Sequence, residues 1–485
     1  MPDSFFFYDL ETSGISAARD RIMQFAGQRT DLDLKPIDEP VNILVRLSDD
    51  ILPSAEAILI SGLSPLQTQK EGITEAEFTE IFNQDIAKPG TIFTGFNNLR
   101  FDDEFIRYLN YRNFYDAYRW HWQDSSSRWD ILDVVRMTRA LRPEGINWPF
   151  NEEGKPSNKL EYLTTANNLK HDNAHDALSD TLATIDVARL IRDHQPKLFN
   201  YLLDHRKKPQ LIQLIRDAEA LVYTSSHYSS EFLHTTVVAV LDLNTETGTV
   251  LVYDLRQDAQ DFLDLSIEEL TDRWRYDPDS PKPRLPVKSM RLNRCPAIAP
   301  VSVLDEATIT RLKLNMEDIS RNRELVNGRK KEFALKLQKV AKELDKQREQ
   351  RRAGQPRVPY ADERLYDKFV APSDAKLFET TREEASLASF EPNFSDKRLN
   401  ELYTLYRARN YPGKLSGEEK DFWQAHVRTK LFEGETSEYV SFKTRLEELK
   451  KTTKDKSKIK LLNDLDKYVS SIASDYEADL PAVAA

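Results

Sequence analysis

The chain has 485 residues, 40% hydrophobic and 31% charged, with a formal net charge of −11. That length suggests two to four domains, and the acidity excludes a uniformly nucleic-acid-binding surface, so such a role needs positive charge gathered on one face. No run approaches the ~18 apolar residues of a membrane-spanning helix, no secretory leader pattern opens the chain, and a single cysteine, Cys295, excludes an intramolecular disulfide framework and cysteine-based zinc fingers and fits a reducing cytoplasm.

The first element is Phe5-Phe6-Phe7-Tyr8-Asp9-Leu10-Glu11-Thr12, an apolar strand carrying two acids one residue apart. Residues i and i+2 of a strand share a face, so Asp9 and Glu11 project side by side. Two adjacent buried like charges are costly without a compensating cation. A divalent metal supplies it, and carboxylate oxygens suit Mg²⁺ or Mn²⁺. The plain alternative is a strand end with two solvated acids before a turn. Residues 22–28 and 41–45 read as further strands, and the helical patterns after them predict an α/β domain with a mixed sheet. Residues 55–65 read as a short helix, a Gly turn and a Ser-Pro helix start. Residues 74–86 are amphipathic, with Phe78, Ile81 and Phe82 on one face.

Residues 91–98 read as a buried strand running into a loop, and Leu99 to Ile106 as a helix start. Acids suit a first helical turn, so capping is the ordinary role for Asp102 and Asp103. The stretch from Arg107 to Trp122 mixes aromatics with Arg. That mixture suits stacked bases and phosphates of a single strand, or simply a helix packed by its aromatics. Helices are predicted from Trp129, from Lys159 to Asn167-Asn168, and from Ala177. In the last, Leu178, Leu182, Ile185 and Leu190 are expected to face the core, leaving Asp180 toward the sheet edge. His175 falls in the preceding loop or first turn. Gln195-Pro196 reads as a domain boundary. Residues 235–242 and 249–255 flank a Thr-Gly turn and predict a hairpin, with 287–294 as an alternating strand, which together suit a small antiparallel barrel. Residues 321–364 carry 14 Lys and Arg against 7 Asp and Glu. A solvated helix face is the ordinary reading of such a run; a phosphate track is the sharper one. Beyond about residue 356 the pattern is helical, ending in a disordered Pro-Ala-Val-Ala-Ala tail.

Three motifs stand in order: Asp9-x-Glu11-Thr12, Asn98-x-x-Phe101-Asp102-x-x-Phe105, and His175-x-x-x-x-Asp180. Each is weak alone; together they resemble the proofreading-type 3′→5′ exonucleases with a DEDD core, histidine subtype. Asn98-x-Arg100-Phe101-Asp102-Asp103-Glu104, Ser127-Arg128-Trp129-Asp130, Arg142 to Pro149, Asn173-Ala174-His175-Asp176-Ala177 and Tyr406 to Gly413 are similar to the bacterial exodeoxyribonuclease I family. The resemblance spans nearly the whole chain and is loosest between about 215 and 395.

It implies an α/β ribonuclease H-like exonuclease domain with a mixed sheet (1–193), a small SH3-like β domain with flanking helices (196–355) and a C-terminal helical domain (356–485), arranged around a DNA channel. Asp9, Glu11, Asp102 and Asp180 would hold two Mg²⁺ (Mn²⁺ the alternative) roughly 3.5–4 Å apart. His175 would be the general base toward water, and Glu11 would also receive the terminal 3′-hydroxyl. By the resemblance Arg107, Tyr118, Trp122, Arg136, Lys159 and Lys208 line the strand. Lys159 stands where the family has Arg, and either holds a phosphate. Lys288 and Tyr366 are further expected contacts. Arg142 and Tyr201 match a pocket for the acidic C-terminal tail of single-stranded DNA-binding protein, although residues 300–330 depart from the pattern. The expectation is a monomeric, cytoplasmic, single-strand-specific 3′→5′ exodeoxyribonuclease of repair and recombination. Its rivals are an RNA 3′-exonuclease on the same core and a non-catalytic single-strand-binding protein.

Overall fold

The computed structural model describes residues 3–171, 175–275, 279–353, 359–387 and 390–476. Asn173, Ala174 and the C-terminal tail lie outside the described residues. Two compact units emerge. One comprises Met1–Ser127, His171–Ala183 and Pro359–Ala485; the other, Arg128–Lys170 and Thr184–Val358.

The first unit is built on β1 (Ser4–Thr12), β2 (Ile22–Thr30), β3 (Val41–Leu44) and β4 (Thr91–Thr94), in a sheet of order β3-β2-β1-β4-β5 with β5 at Ser127–Arg128. β1 pairs antiparallel to β2 and parallel to β4, the mixed sheet the strand pattern predicts. The strand's two-residue period divides its aromatics. Phe6, Tyr8 and Leu10 enter a core with Phe25, Phe78, Phe82, Phe93 and Trp120. Phe5 and Phe7 occupy the opposite face, their rings 5.7 Å apart, and Asp9 and Glu11 continue that row. The Thr74 capping box opens the helix Glu75–Ile81, which carries Phe78 into this core.

The helix Asp102–Arg112 takes in only the first part of the aromatic stretch and ends before Phe114, at φ +55°. Tyr111, Phe114 and Trp120 are core residues; Trp122 is 61% exposed. In the helix Ala177–His194, Ile185 faces the core as expected, Leu178 and Leu190 are half-buried, and Leu182 turns outward. Leu182 is 41% exposed, whereas Ala177, Thr181, Thr184, Ala188 and Ile191 are buried. Small side chains let this helix approach the sheet closely: the Thr181 hydroxyl lies 3.5 Å from the Ala26 carbonyl. Close approach outweighs hydrophobicity here, which the apolar pattern does not encode.

The region after residue 359 is helical as expected, with its longest described helices at Lys397–Asn410, Gly417–Leu431, Glu438–Thr452 and Lys456–Asp475. Buried ion pairs join it to the sheet. Asp50, fully buried, receives Arg409 Nη2 at 2.7 Å and Lys430 Nζ at 2.8 Å. Asp362 takes Arg21 at 2.5 Å and Arg409 at 2.9 Å. Another buried pair joins two helices beside the sheet, where Glu75 accepts from Arg112 Nη2 at 2.6 Å and Nε at 3.2 Å. Burial alone would raise these carboxyls, but the facing guanidinium groups, joined by Lys430 at Asp50, outweigh it and hold Asp50, Asp362 and Glu75 below the usual range.

The second unit carries an antiparallel sheet of order β10-β6-β7-β8-β9: β6 Ala220–Thr224, β7 Thr235–Asn244, β8 Thr249–Asp254, β9 Val287–Arg291 and β10 Ala297–Pro300. Gly248, at φ +66°, turns the predicted β7–β8 hairpin. The basic run lies largely on the helix Met316–Ala353. Its Phe333, Leu337 and Val340 are buried. Several of its cations pair locally, Arg329 with Asp264 and Glu332, Lys336 with Glu332, and Arg321 with Asp258 and Asp318.

Lowered carboxyls stabilise the fold fully above their unfolded pKa, near 4, and lose that contribution as pH falls toward the folded values. Unfolding below about pH 4 is therefore expected to steepen through Asp50 and Asp362. Asp50→Ala leaves Arg409 and Lys430 facing an empty site and should cost about 3–5 kcal/mol. Denaturant midpoints at pH 7 check this; a wild-type midpoint would contradict it.

Candidate metal centre and strand-binding surface

Register brings the acids together. Asp9 lies opposite Ala26 on β2, the residue whose carbonyl the Thr181 hydroxyl meets, so the neighbouring Asp180 reaches the same place. β4 runs parallel to β1 and ends with Thr94 beside Phe7. The chain leaving β4 therefore emerges at the carboxyl end of β1, where open α/β sheets place their sites. Gly95 makes that approach possible: a Cβ there would sit 2.6 Å from the Tyr8 carbonyl oxygen. The Asn98 side chain contacts Asp103 at 3.4 Å, and the Tyr8 hydroxyl donates to Asp103 at 2.5 Å. Asp103 thus anchors the helix on which Asp102 is the first residue, a role beyond the expected capping. The pairing of β1 with β2 shifts register between Glu11 and Thr12, and such irregularities re-aim side chains.

Oxygens of Asp9, Glu11 and Asp180 lie within 4.8 Å of one another, a geometry able to hold a metal ion. Asp102 is outside that group of three; it is buried, and its charge helps raise the Tyr8 hydroxyl's pKa, after burial and Asp103. Burial first, then Asp180 and Asp176, pushes Asp9 well above the usual carboxylate range. Burial first, then Asp9, Asp180 and Asp176, pushes Glu11 up to about 9. These carboxylates are crowded as anions and hard in donor type, so they fit a divalent cation. They contrast with Asp50 and Asp362, whose charge the protein neutralises itself.

His175 lies in the turn before the third motif's helix, at φ +69°, with an exposed side chain. Its backbone N–H points to Asp180, 3.3 Å from Oδ2 and 3.4 Å from Oδ1. A second histidine was not anticipated from the motif: His171 Nε2 is 2.5 Å from Asp180 Oδ1, and its side chain is 5% exposed. Asp176 accepts the Ser179 N–H at 3.0 Å and the Gln24 amide at 3.3 Å.

Of the expected strand contacts, the first unit gathers three. Arg107 donates to Glu104 at 2.6 Å and lies over the Tyr118 ring at 5.6 Å, and the Tyr366 hydroxyl donates to the same Glu104. Phe369, unnoticed as a candidate, is 85% exposed with its ring 6.2 Å from that of Tyr118. Its signal was its place three residues after Tyr366. In the second unit, Arg136 pairs with Asp133 at 2.7 Å and Lys208 donates to the Thr245 carbonyl at 2.9 Å. Lys159 is exposed beside Glu161 at 3.7 Å. Lys288 sits on β9, its pKa lowered first by burial and then by Arg284. Arg142 and Tyr201 line one cleft of about 440 Å³ with Leu141, Pro196, Leu198 and Val303. Arg142 donates to the Val303 carbonyl at 3.0 Å and Tyr201 to the Ile298 carbonyl at 3.1 Å.

The sheet and its carboxylate cluster define a class, the exonucleases: a family model described as "Exonuclease" matches residues 6–188. Models of the exonuclease I SH3-like domain and C-terminal domain match residues 206–343 and 360–472. Exodeoxyribonuclease I of Escherichia coli K12 is 37% identical over 484 residues, covering 97% of this chain and 98% of that one. The solved structure of E. coli exonuclease I with a dA16 oligonucleotide superposes with TM-score 0.89 at 36% identity, covering 97% and 100% of the two chains. A zinc-bound E. coli ExoI–ssDNA complex gives 0.89 at 34% (98% and 100%), and an SSB/exonuclease I structure with an inhibitor 0.87 at 34% (97% and 100%). The chain belongs to the exodeoxyribonuclease I family.

A carboxyl whose folded pKa is raised favours the fold at low pH, and that contribution is lost as pH climbs from the unfolded value, near 4.3, to the folded one. The metal-free protein should therefore lose stability between pH 5 and 9. Glu11→Gln should flatten this trend in EDTA and lower hydrolysis by about 10³-fold or more, the scale of losing electrostatic transition-state stabilisation. Melting temperatures across that pH range, and single-turnover assays with Mg²⁺, check both.

Proposed function

We propose that the protein degrades single-stranded DNA from its 3′ end, releasing 5′-mononucleotides, as a cytoplasmic monomer in repair and recombination. The carrying observation is the Asp9, Glu11 and Asp180 cluster, set at the carboxyl end of β1 in a chain that matches E. coli exodeoxyribonuclease I over 97% of its residues. Asp9, Glu11 and Asp180, with Asp102 as the fourth acid, hold two Mg²⁺. Bound there, the ions supply activation of the attacking water and stabilisation of the leaving 3′-oxygen. His175, exposed at the turn and free of the core, takes the proton from that water. Glu11 also accepts the terminal 3′-hydroxyl, which restricts the enzyme to strand ends.

Arg107, Tyr118, Trp122 and Tyr366 contact the strand from the first unit; Arg136, Lys159, Lys208 and Lys288 do so from the second. Phe369 joins them as a stacking platform. Support comes from its exposure beside Tyr118 and from the oligonucleotide held by the E. coli relative. The cleft of Arg142 and Tyr201 receives the acidic C-terminal tail of single-stranded DNA-binding protein. A basic guanidinium at an apolar cleft suits such a tail, and the relative's SSB structure supports that reading.

Matched 3′-labelled DNA and RNA single strands decide the substrate: DNA is expected to be cut faster, with 5′-mononucleotides as product, and faster RNA cleavage would overturn the proposal. Asp9→Ala should abolish hydrolysis while binding the strand in EDTA. A strand-binding protein without catalysis would leave wild type as inert as this variant. Phe369→Ala should weaken binding of a single strand by about 1–3 kcal/mol, the worth of one stacked base. Fluorescence anisotropy with a labelled oligonucleotide measures it.

A further inference from the structure

Asp180 is the one member of the crowded trio that stands on a helix rather than on β1. A carboxylate's terminal torsion is broad and roughly two-fold. In the ionised form that takes a cation, an unrestrained Asp180 beside Asp9 and Glu11 would rotate away from them, because separation lowers the repulsion. Among the described residues, two groups oppose that rotation. The backbone N–H of His175 reaches both oxygens, at 3.3 and 3.4 Å. The imidazole of His171 reaches Oδ1 at 2.5 Å.

The two histidines differ in surroundings. The His175 side chain is exposed, as a group exchanging protons with substrate water must be. The His171 side chain is 5% exposed, and a ring so enclosed keeps a fixed orientation. An ionised carboxylate only accepts hydrogen bonds, so Nε2 of His171 carries the proton in this contact. Hydrogen bonds to a ligating carboxylate from such outer groups orient it toward its ion.

We propose that His171 is a positioning residue of the metal centre: its buried imidazole fixes the rotation of the Asp180 carboxylate so that Asp180 offers an oxygen to the ion shared with Asp9 and Glu11. This rests on the reading of those acids as metal ligands. In this role His171 acts through Asp180. The DEDD-type motif carries one histidine, five residues before its last acid, and the division of labour assigns a second, nine residues before it.

The test is calorimetric titration of Mn²⁺ into the full-length protein without DNA, alongside steady-state degradation of a 3′-labelled oligonucleotide. His171→Leu keeps bulk and removes the donor; His171→Gln keeps a donor. His171→Leu is expected to weaken Mn²⁺ binding by about 10- to 100-fold, to lower kcat at limiting Mn²⁺ with the KM for the oligonucleotide unchanged, and to regain kcat at high Mn²⁺. His171→Gln should recover most of the affinity, which a merely structural loss would not allow. Wild-type Mn²⁺ affinity in His171→Leu, or equal impairment of both variants, overturns the proposal. Asp9→Ala separates the two levels. If it too binds Mn²⁺ like wild type, the metal-centre reading fails; if it loses binding while His171→Leu does not, only the role of His171 fails.

Discussion

Electrostatic repulsion among Asp9, Glu11 and Asp180 is the constraint on which the molecule turns. Their oxygens crowd within 4.8 Å of one another, and burial and mutual charge push Asp9 and Glu11 upward. Nothing in the ordinary economy of folding recommends such a cluster, because each acid makes its neighbours costlier to ionise. The surrounding structure over-determines it nonetheless. The aromatic row of β1, the parallel pairing to β4, the Tyr8–Asp103 bond and the small-residue face of the helix Ala177–His194 all hold acids toward one another.

The same chain shows how it treats acids that serve the fold. Asp50, Asp362 and Glu75 are as buried as the site, yet each faces guanidinium groups within hydrogen-bonding distance and is held below its usual range. The pairs of Asp50 and Asp362 tie the C-terminal region to the N-terminal part of the first unit, and that of Glu75 joins two of its helices. The contrast separates structure from function: a carboxylate faced by guanidinium groups holds the molecule together, and a crowded cluster of carboxylates fits a cation. Perturbed acids in one place are a mark of function when no partner explains them.

Much of this was legible in the residues. The alternation of β1 announced Asp9 and Glu11 on one face, and the Thr-Gly turn announced the β7–β8 hairpin. Other features were not. Leu182 faces outward while its small neighbour Thr181 is buried against the Ala26 carbonyl, and period alone cannot choose between a bulky and a small face. Asp103 looked like a helix cap, whereas its partner Tyr8 is 95 residues away. His171 falls outside any short motif, since its meaning lies in a contact with Asp180 nine residues on. In the basic run of 321–364 a solvated helix face was legible, whereas the pairing of several of its cations with nearby acids was not.

The most direct measurement is the number of protons displaced when Mn²⁺ binds the metal-free protein near pH 8, obtained by calorimetry in buffers of different ionisation enthalpy. Carboxyls raised by burial and mutual repulsion hold protons that a cation must expel, so the account predicts net release of at least about one proton, abolished with metal binding in Asp9→Ala. Tight binding of Mn²⁺ with no proton release, or undiminished binding in Asp9→Ala, would contradict it.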